Sequence, residues 1–302
     1  MAKPAILHKG DAIGIVCSAR KVNLFEIKDA INLFNSWQLQ VILGKTIHLE
    51  DNQFAGSDEQ RREDIQFFLF NKQVKAIFIA RGGYGSIRIL DKLNFASFNK
   101  TPKWIIGYSD ITAILNHIFF TQGACSLLAT MPINIKEENF SSSSIETLHN
   151  CLFNEKEMER IYPNSPLNIK GRAKGEAIGG NLSVLYSLLG SISFGDTKGK
   201  ILFIEDLDEY LYHIDRMMQS LKRAGKLKSL SGLVVGAFTK MHDNDIPFGK
   251  TAQEIILDAV KEYNYPVCFD IPFGHIEERN EAFIIGKTTS LIVGEENVVI
   301  VQ

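Results

Sequence analysis

The chain predicts an α/β protein in two domains: an N-terminal one on a mostly parallel sheet, and a smaller α/β one ending in short strands. Three observations lead there. Short apolar runs alternate with segments whose apolar residues recur at helical spacing, the pattern of a parallel sheet with helices on both faces. That pattern weakens between 135 and 171, where Ser141–Ser144, Pro163, Asn164-Ser165-Pro166 and Gly171 cluster. A chain of 302 residues with 45% hydrophobic content also has enough apolar material for two cores. The expected domains are therefore 1–135 and 172–302, with 136–171 as a connector.

The elements follow in order. Ala12–Val16 is a first strand, with Cys17-Ser18-Ala19-Arg20 as its loop. Leu24, Ile27, Ile31 and Phe34 keep helical spacing up to Trp37, and Leu39–Leu43 returns to a strand pattern. Ser57 before Asp58, Glu59 and Gln60 starts a helix that ends near Phe70, with negative charge in its first turn. Val74–Ile79 is a strand, Arg81-Gly82-Gly83-Tyr84-Gly85 a loop, and a helical segment runs on to Leu93. Trp104, Ile105 and Ile106, bounded by Pro102 and Gly107, form a buried strand; a helix through Phe119 follows, stopped at Gly123. Cys125–Thr130 is one more strand.

Beyond the connector, a strand to Ile178 leads through Gly179-Gly180 to a helix capped by Asn181. Lys200–Ile204 is a strand ending in Glu205-Asp206, and Leu211, Ile214, Met217, Met218 and Leu221 make one helical face closed by Gly225. Leu233–Phe238 and Val267–Phe269 are further strands, and the apolar runs of Ala282–Val301, broken by Gly286 and Gly294, are short terminal ones.

Composition narrows the function. A formal net charge of -2 gives no electrostatic reason to expect nucleic acid or an anionic membrane as partner. The first ten residues lack the apolar core of a signal peptide, and no apolar run reaches bilayer length, so a soluble cytoplasmic protein is expected. Cys17, Cys125, Cys151 and Cys268 are scattered without a C-x-x-C pair, which suggests neither a disulfide framework nor a zinc site. No histidine pair has metalloprotease spacing, and His242-Asp243-Asn244-Asp245 fits a solvated loop as well as a metal site.

The chemistry-bearing residues sit at strand ends, where sites of parallel sheets lie. Ser109, in Gly107-Tyr108-Ser109-Asp110, falls at a strand-to-helix turn that can present a hydroxyl beside free N–H groups. It is either a nucleophile or a helix cap. His275 follows Asp270-Ile271-Pro272-Phe273-Gly274 in a loop leaving a buried strand, where it is either catalytic or structural, whereas His117 lies within a helix and points away from the turn. His213 sits on a helix among Tyr and Asp, where a solvated or locally hydrogen-bonded role is expected. Glu205 ends an apolar strand and is costly there unless paired, although a first-turn role toward the next helix is open, with Asp206 and Asp208 better placed for it. The Arg81–Gly85 loop is a phosphate cradle, a plain turn or the wall of an oxyanion hole; it matches neither the dinucleotide nor the P-loop spacing.

Taken together, Arg81-Gly82-Gly83-Tyr84-Gly85, Gly107-Tyr108-Ser109-Asp110, Gly179-Gly180-Asn181-Leu182, Phe203-Ile204-Glu205-Asp206 and Pro272-Phe273-Gly274-His275 resemble the LD-carboxypeptidase family of serine peptidases over nearly the full chain. The family includes muropeptide LD-carboxypeptidases and the microcin C immunity peptidase. The resemblance implies a Rossmann-like N-terminal domain bearing the serine and a smaller C-terminal domain bearing Glu and His. It implies Ser109 as nucleophile, His275 as general base and then acid, and Glu205 as the group orienting His275. The oxyanion hole would be the N–H of Asp110 with that of Gly83, and Arg81, Gly82 and Tyr84 become candidate substrate contacts. It further implies a homodimer without metal or cofactor, releasing terminal D-alanine from murein tetrapeptides in cell-wall recycling.

Three alternatives stand beside this. An α/β-hydrolase esterase shares the order Ser, acid, His, but Ile111 stands where its nucleophile elbow has a second glycine. An immunity peptidase acting on an aminoacyl-nucleotide wants aromatic stacking for the base, and Met241–Phe248 holds only Phe248. A non-catalytic two-domain binder of small molecules would use Ser109 as a cap.

Overall fold

The computed structural model describes residues 1–302 except Ser97, Glu277 and Glu278. The chain begins β1 (Ala12–Val16), α1 (Lys28–Ser36), β2 (Gln40–Leu43), α2 (Asp58–Phe70), β3 (Val74–Ile79) and α3 (Ser86–Leu90). It continues β4 (Trp104–Gly107), α4 (Thr112–Gln122), β5 (Ser126–Leu128), α5 (Ser143–Phe153), β6 (Glu159–Pro163), β7 (Gly171–Asn181) and α6 (Leu182–Ser187). It ends β8 (Ile201–Leu207), α7 (Leu211–Arg223), β9 (Gly232–Thr239), α8 (Ala252–Val260), β10 (Val267–Cys268), β11 (Phe283–Ile285), β12 (Thr288–Val293) and β13 (Asn297–Val301). These elements form two compact units: Met1–Glu155 with Glu277–Ile285, and Lys156–Ile276 with Gly286–Gln302.

The first unit is a six-stranded sheet in the order β11-β5-β4-β3-β1-β2, parallel except for β11. β1 and β4 are apolar throughout and buried, and β3 is so apart from the exposed Lys75, as strands covered on both faces must be. Trp104 is fully buried, and its indole N–H is satisfied by the Ala5 carbonyl at 2.9 Å. A reciprocal capping box, with Ser57 Oγ accepting from Gln60 N and Gln60 Oε1 accepting from Ser57 N, starts α2 where the sequence predicts. The chain runs outward from β1 to β2 and then crosses to β3 on the other side of β1, so the strand order reverses between β1 and β3. In open parallel sheets a crevice forms outside the carboxyl ends of the strands at such a point. The loops leaving β1 and β3 there carry Ser18 and Gly82–Gly85, and the next strand, β4, leads into Ser109.

The second unit is a seven-stranded sheet, β10-β9-β8-β7-β12-β13-β6. β7 joins its two characters. Gly171–Glu176 pair antiparallel with β12, while Ala177–Asn181 pair parallel with β8. The parallel half is the better buried, with Ile201–Ile204 of β8 and Leu233–Val235 of β9 inaccessible to solvent. Met217, Met218 and Leu221 of α7 are buried on the face their spacing predicts. Among the described residues no helix is long and apolar enough to cross a membrane.

Several boundaries differ from expectation. The segment 136–171 holds α5, in the first unit, and β6, in the second. The serine run does not loop: Ser142 is the extended residue before α5, and Ile145, Leu148 and Leu152 are buried at helical spacing behind it. Gly179 and Gly180 lie inside β7 rather than after it. α3 stops at Leu90, and β11 belongs to the first sheet, where it pairs with β5. α8, not expected from the sequence, opens on a Thr251–Glu254 capping box.

Candidate active site

In the first unit the β4–α4 turn sets Ser109 apart. Its φ is +63°, left-handed backbone that an L-residue adopts at a cost of about 1 kcal/mol or more. The residues at the cap positions, Tyr108 and Ile111, make no side-chain capping bond, so the half-buried Ser109 hydroxyl is not spent on helix capping. The glycine loop after β3 reaches this hydroxyl. A Cβ on Gly82 would lie 3.1 Å from Ser109 Cβ and 3.2 Å from its Oγ, so a side chain at position 82 would press on the serine.

A buried polar network holds loop and turn together. Ser86 N–H, at the exit of the glycine loop, donates to Asp110 Oδ2 at 2.9 Å, and Ser86 Oγ lies 2.6 Å from Ser18 Oγ in the β1 loop. Burial pushes the Asp110 carboxyl upward in pKa, against the bonds from Ser86. Arg61 of α2 has no exposed surface, and its Nη1 donates to Ser18 O at 2.6 Å and Gly85 O at 3.2 Å. Its Nε donates to Gly56 O at 3.3 Å, and its Nη2 pairs with Asp58. Sequence reasoning missed Arg61 because its neighbours are nearly all charged. Its spacing to Ile65 and Phe68, both buried, placed it on the inner face all along.

Of the remaining candidates in this loop, Arg81 Nη1 stands 3.7 Å from Glu26, and Tyr84 is 54% exposed. The stem of Arg20 runs along Gly83, where an added Cβ would meet Arg20 Cβ at 2.9 Å. Arg20 is exposed and has no acidic partner among the described residues, whereas Arg61, Arg81 and Arg88 each have one.

In the second unit the structure brings Glu205 and His275 together. Glu205 is fully buried near the end of β8; its Oε2 accepts from His275 N–H at 3.2 Å and lies 2.6 Å from His275 Nδ1. Two features of the backbone allow this approach. β9 carries one extra residue opposite Glu205, and around that bulge Ala237 N–H takes the Phe273 carbonyl at 3.0 Å. Gly274, at φ +96°, packs so closely that a Cβ would lie 2.5 Å from Glu205 Oε2. Thr239 Oγ1 then fixes the His275 carbonyl at 3.1 Å. Burial lowers the basicity of His275, but the charge and hydrogen bond of Glu205, helped by Asp206, outweigh it and leave its pKa raised.

The carboxylates beside Glu205 do not cap α7 as expected. Asp206 binds the start of α6, and Asp208 Oδ1 lies 2.6 Å from His242 Nε2. His213 makes the local bond expected of it, to Glu209 at 2.6 Å, and His117 is buried against Phe95. All four cysteines are buried, and burial pushes the Cys17 thiol up to about 12. Among the described residues no three His, Cys, Asp or Glu side chains group to hold a metal ion.

What these arrangements can do is clear in kind. A carboxylate on Nδ1 fixes an imidazole's tautomer and orientation and stabilises its protonated form, and an uncapped serine in a strand-to-helix turn is an available hydroxyl. Residues 13–129 match the LD-carboxypeptidase N-terminal domain and residues 174–291 the LD-carboxypeptidase C-terminal domain. The chain is 32% identical over 308 residues to a probable murein peptide carboxypeptidase of Bacillus subtilis, covering 99% of this chain and 94% of the relative. The crystal structure of muramoyltetrapeptide carboxypeptidase from Oxalobacter formigenes superposes with a TM-score of 0.86 at 25% identity, covering 96% of this chain and 98% of that one. MccF in complex with glutamyl sulfamoyl guanosine shares the fold, with a TM-score of 0.88 at 20% identity over 100% of this chain and 99% of that one. The chain belongs to the LD-carboxypeptidase family of peptidases.

Proposed function

We propose that this peptidase is a serine carboxypeptidase that hydrolyses an LD-peptide bond, releasing terminal D-alanine from murein tetrapeptides. The observation that carries it is the fully buried Glu205 on Nδ1 of His275, the acid–base half of a hydrolytic triad. Ser109 supplies the nucleophile: its strained backbone and uncapped hydroxyl support that role. His275 takes the Ser109 proton through Nε2 as the hydroxyl attacks, Glu205 stabilises the imidazolium, and His275 returns the proton to the leaving amine. Water activated by the same imidazole then cleaves the acyl-enzyme. Backbone N–H groups of Asp110 and Gly83 receive the developing oxyanion. Because His275 works as a neutral base, activity falls as the pH drops below its raised pKa.

The names of relatives support the substrate class: the Bacillus subtilis and Oxalobacter formigenes proteins are a murein peptide and a muramoyltetrapeptide carboxypeptidase by name. A terminal carboxylate calls for a cation, and Arg20 beside Gly83 is the arginine of this loop cluster without an acidic partner among the described residues. Arg81, Gly82 and Tyr84 line the same loop as substrate contacts. The enzyme acts as a homodimer in the cytoplasm, without metal or cofactor.

The test is incubation of wild type, Ser109→Ala and Arg20→Ala with a tetrapeptide ending in D-alanine and with its C-terminal amide, following released D-alanine or its amide by mass spectrometry. Wild type releases D-alanine and Ser109→Ala does not; Arg20→Ala raises KM for the acid and leaves the amide unaffected. Release by Ser109→Ala at the wild-type rate would remove the serine from the mechanism. A second reading, cleavage of an aminoacyl-nucleotide, is favoured by one observation: Tyr210 and Tyr212 are 43% and 40% exposed with rings 5.5 Å apart, and the Tyr210 ring lies 5.4 Å from that of His242. They offer the stacking surface that Met241–Phe248 lacks. Turnover of an aminoacyl-nucleotide together with inert tetrapeptides would favour it.

A further inference from the structure

Asp206 is a buried carboxylate that the triad chemistry leaves unused. It is 1% exposed, yet it accepts three hydrogen bonds: from Asn181 Nδ2 and Leu207 N–H on Oδ1, and from Ser183 N–H on Oδ2, each at 2.9 Å. Asn181 is in turn the cap of α6, its Oδ1 accepting from Val184 N–H at 3.1 Å. Asp206 therefore ties the end of β8 to the end of β7 and the first turn of α6. Glu205 needs such a tie. Its Oε1 is buried without a hydrogen-bond partner among the described residues, and its Oε2 bonds only to His275, so its carboxylate is held from the imidazole side while the strand beneath it sets its position.

We propose that Asp206 is a positioning residue for the Glu205–His275 pair, clamping the strand end that carries Glu205 and standing as a second negative charge behind the imidazole. The proposal rests on the triad reading above. The charged and titratable groups facing Asp206 are Glu205 on its own strand, Glu209 in the loop that follows, and His275; the α6 side presents Asn181 and Ser183, which do not titrate. Burial first, and then the Glu205 charge, push the Asp206 carboxyl up to about 7 against the bonds from Asn181 and Leu207. Asp206 raises the His275 pKa in turn, so the two titrations are coupled.

The sign follows directly. A negative charge near His275 favours the imidazolium, so removing it lowers the His275 pKa and moves the acid limb of kcat/KM to lower pH. The experiment is an NMR titration of the His275 ring in wild type and Asp206→Asn, with pH profiles of kcat/KM alongside. A lower His275 midpoint in Asp206→Asn, with the acid limb moving the same way, is the expected result; identical midpoints overturn the proposal. The ring titration needs no turnover, so it stands even where the substrate assignment fails. Should Asp206→Asn not fold, the Asp206 carboxyl carbon is followed in wild type and Glu205→Gln. Its midpoint falls in Glu205→Gln if the two carboxylates are coupled, and an unmoved midpoint overturns the proposal.

Discussion

Ser109 holds its left-handed backbone without help from a glycine's freedom, and that cost has a measurable counterpart. Ser109→Gly relieves the strain and is expected to raise stability by about 1 kcal/mol while abolishing hydrolysis, whereas Ser109→Ala abolishes hydrolysis without the gain. Thermal unfolding of the two variants beside wild type checks this; a Ser109→Gly protein no more stable than Ser109→Ala would contradict it. At this scale the sequence singled out the Glu205 and His275 that the structure joins by a hydrogen bond. Ser109 two residues past Gly107, Glu205 beside Asp206 and His275 after Gly274 each stood at the edge of an apolar run, where the local pattern explained them poorly. Asp206 and Arg61 were not legible, because what distinguishes them is the set of distant carbonyls and amides they meet, and no local pattern encodes those partners.

At the scale of elements, strands were read to the residue where apolar residues dominate the run, as in β1 and, despite Lys75, in β3. Reading failed where polar starts masked amphipathic helices. α5 hid behind four serines, and α8 behind a capping box that the eye passes over. Such boxes have consequences. The reciprocal Ser57–Gln60 bonds begin the helix that carries Arg61 into the loops around Ser109. Ser57→Ala is therefore expected to cost about 1 kcal/mol of stability, read from the midpoint of urea unfolding at unchanged slope.

For the whole molecule, the decisive connection is β11. After the second unit's parallel strands the chain returns to the first unit, where Phe283–Ile285 close the sheet edge along β5. Asn280 N–H donates to Ser144 Oγ at 2.7 Å and Ala282 N–H to Thr147 Oγ1 at 3.0 Å, so the returning segment also docks on α5. No composition shift marks this return, since a three-residue apolar strand looks the same whichever sheet receives it. A fragment ending at Glu155 leaves β5 as a bare edge and is expected to self-associate as its concentration rises. Fusing Arg279–Ile285 to its end through a flexible linker is expected to restore a monomer in sedimentation. Equal self-association of both fragments would show that β11 does not protect the edge.

The same return orders events in time during synthesis. The first unit emerges from the ribosome with five of its six strands made, but the sixth appears only after β6 to β10 have been translated. Until then the nascent chain carries an unpaired strand edge, the kind of surface that chaperones shield. The sheet that bears Ser109 is therefore complete only after the strand carrying Glu205 and the loop carrying His275 have been made.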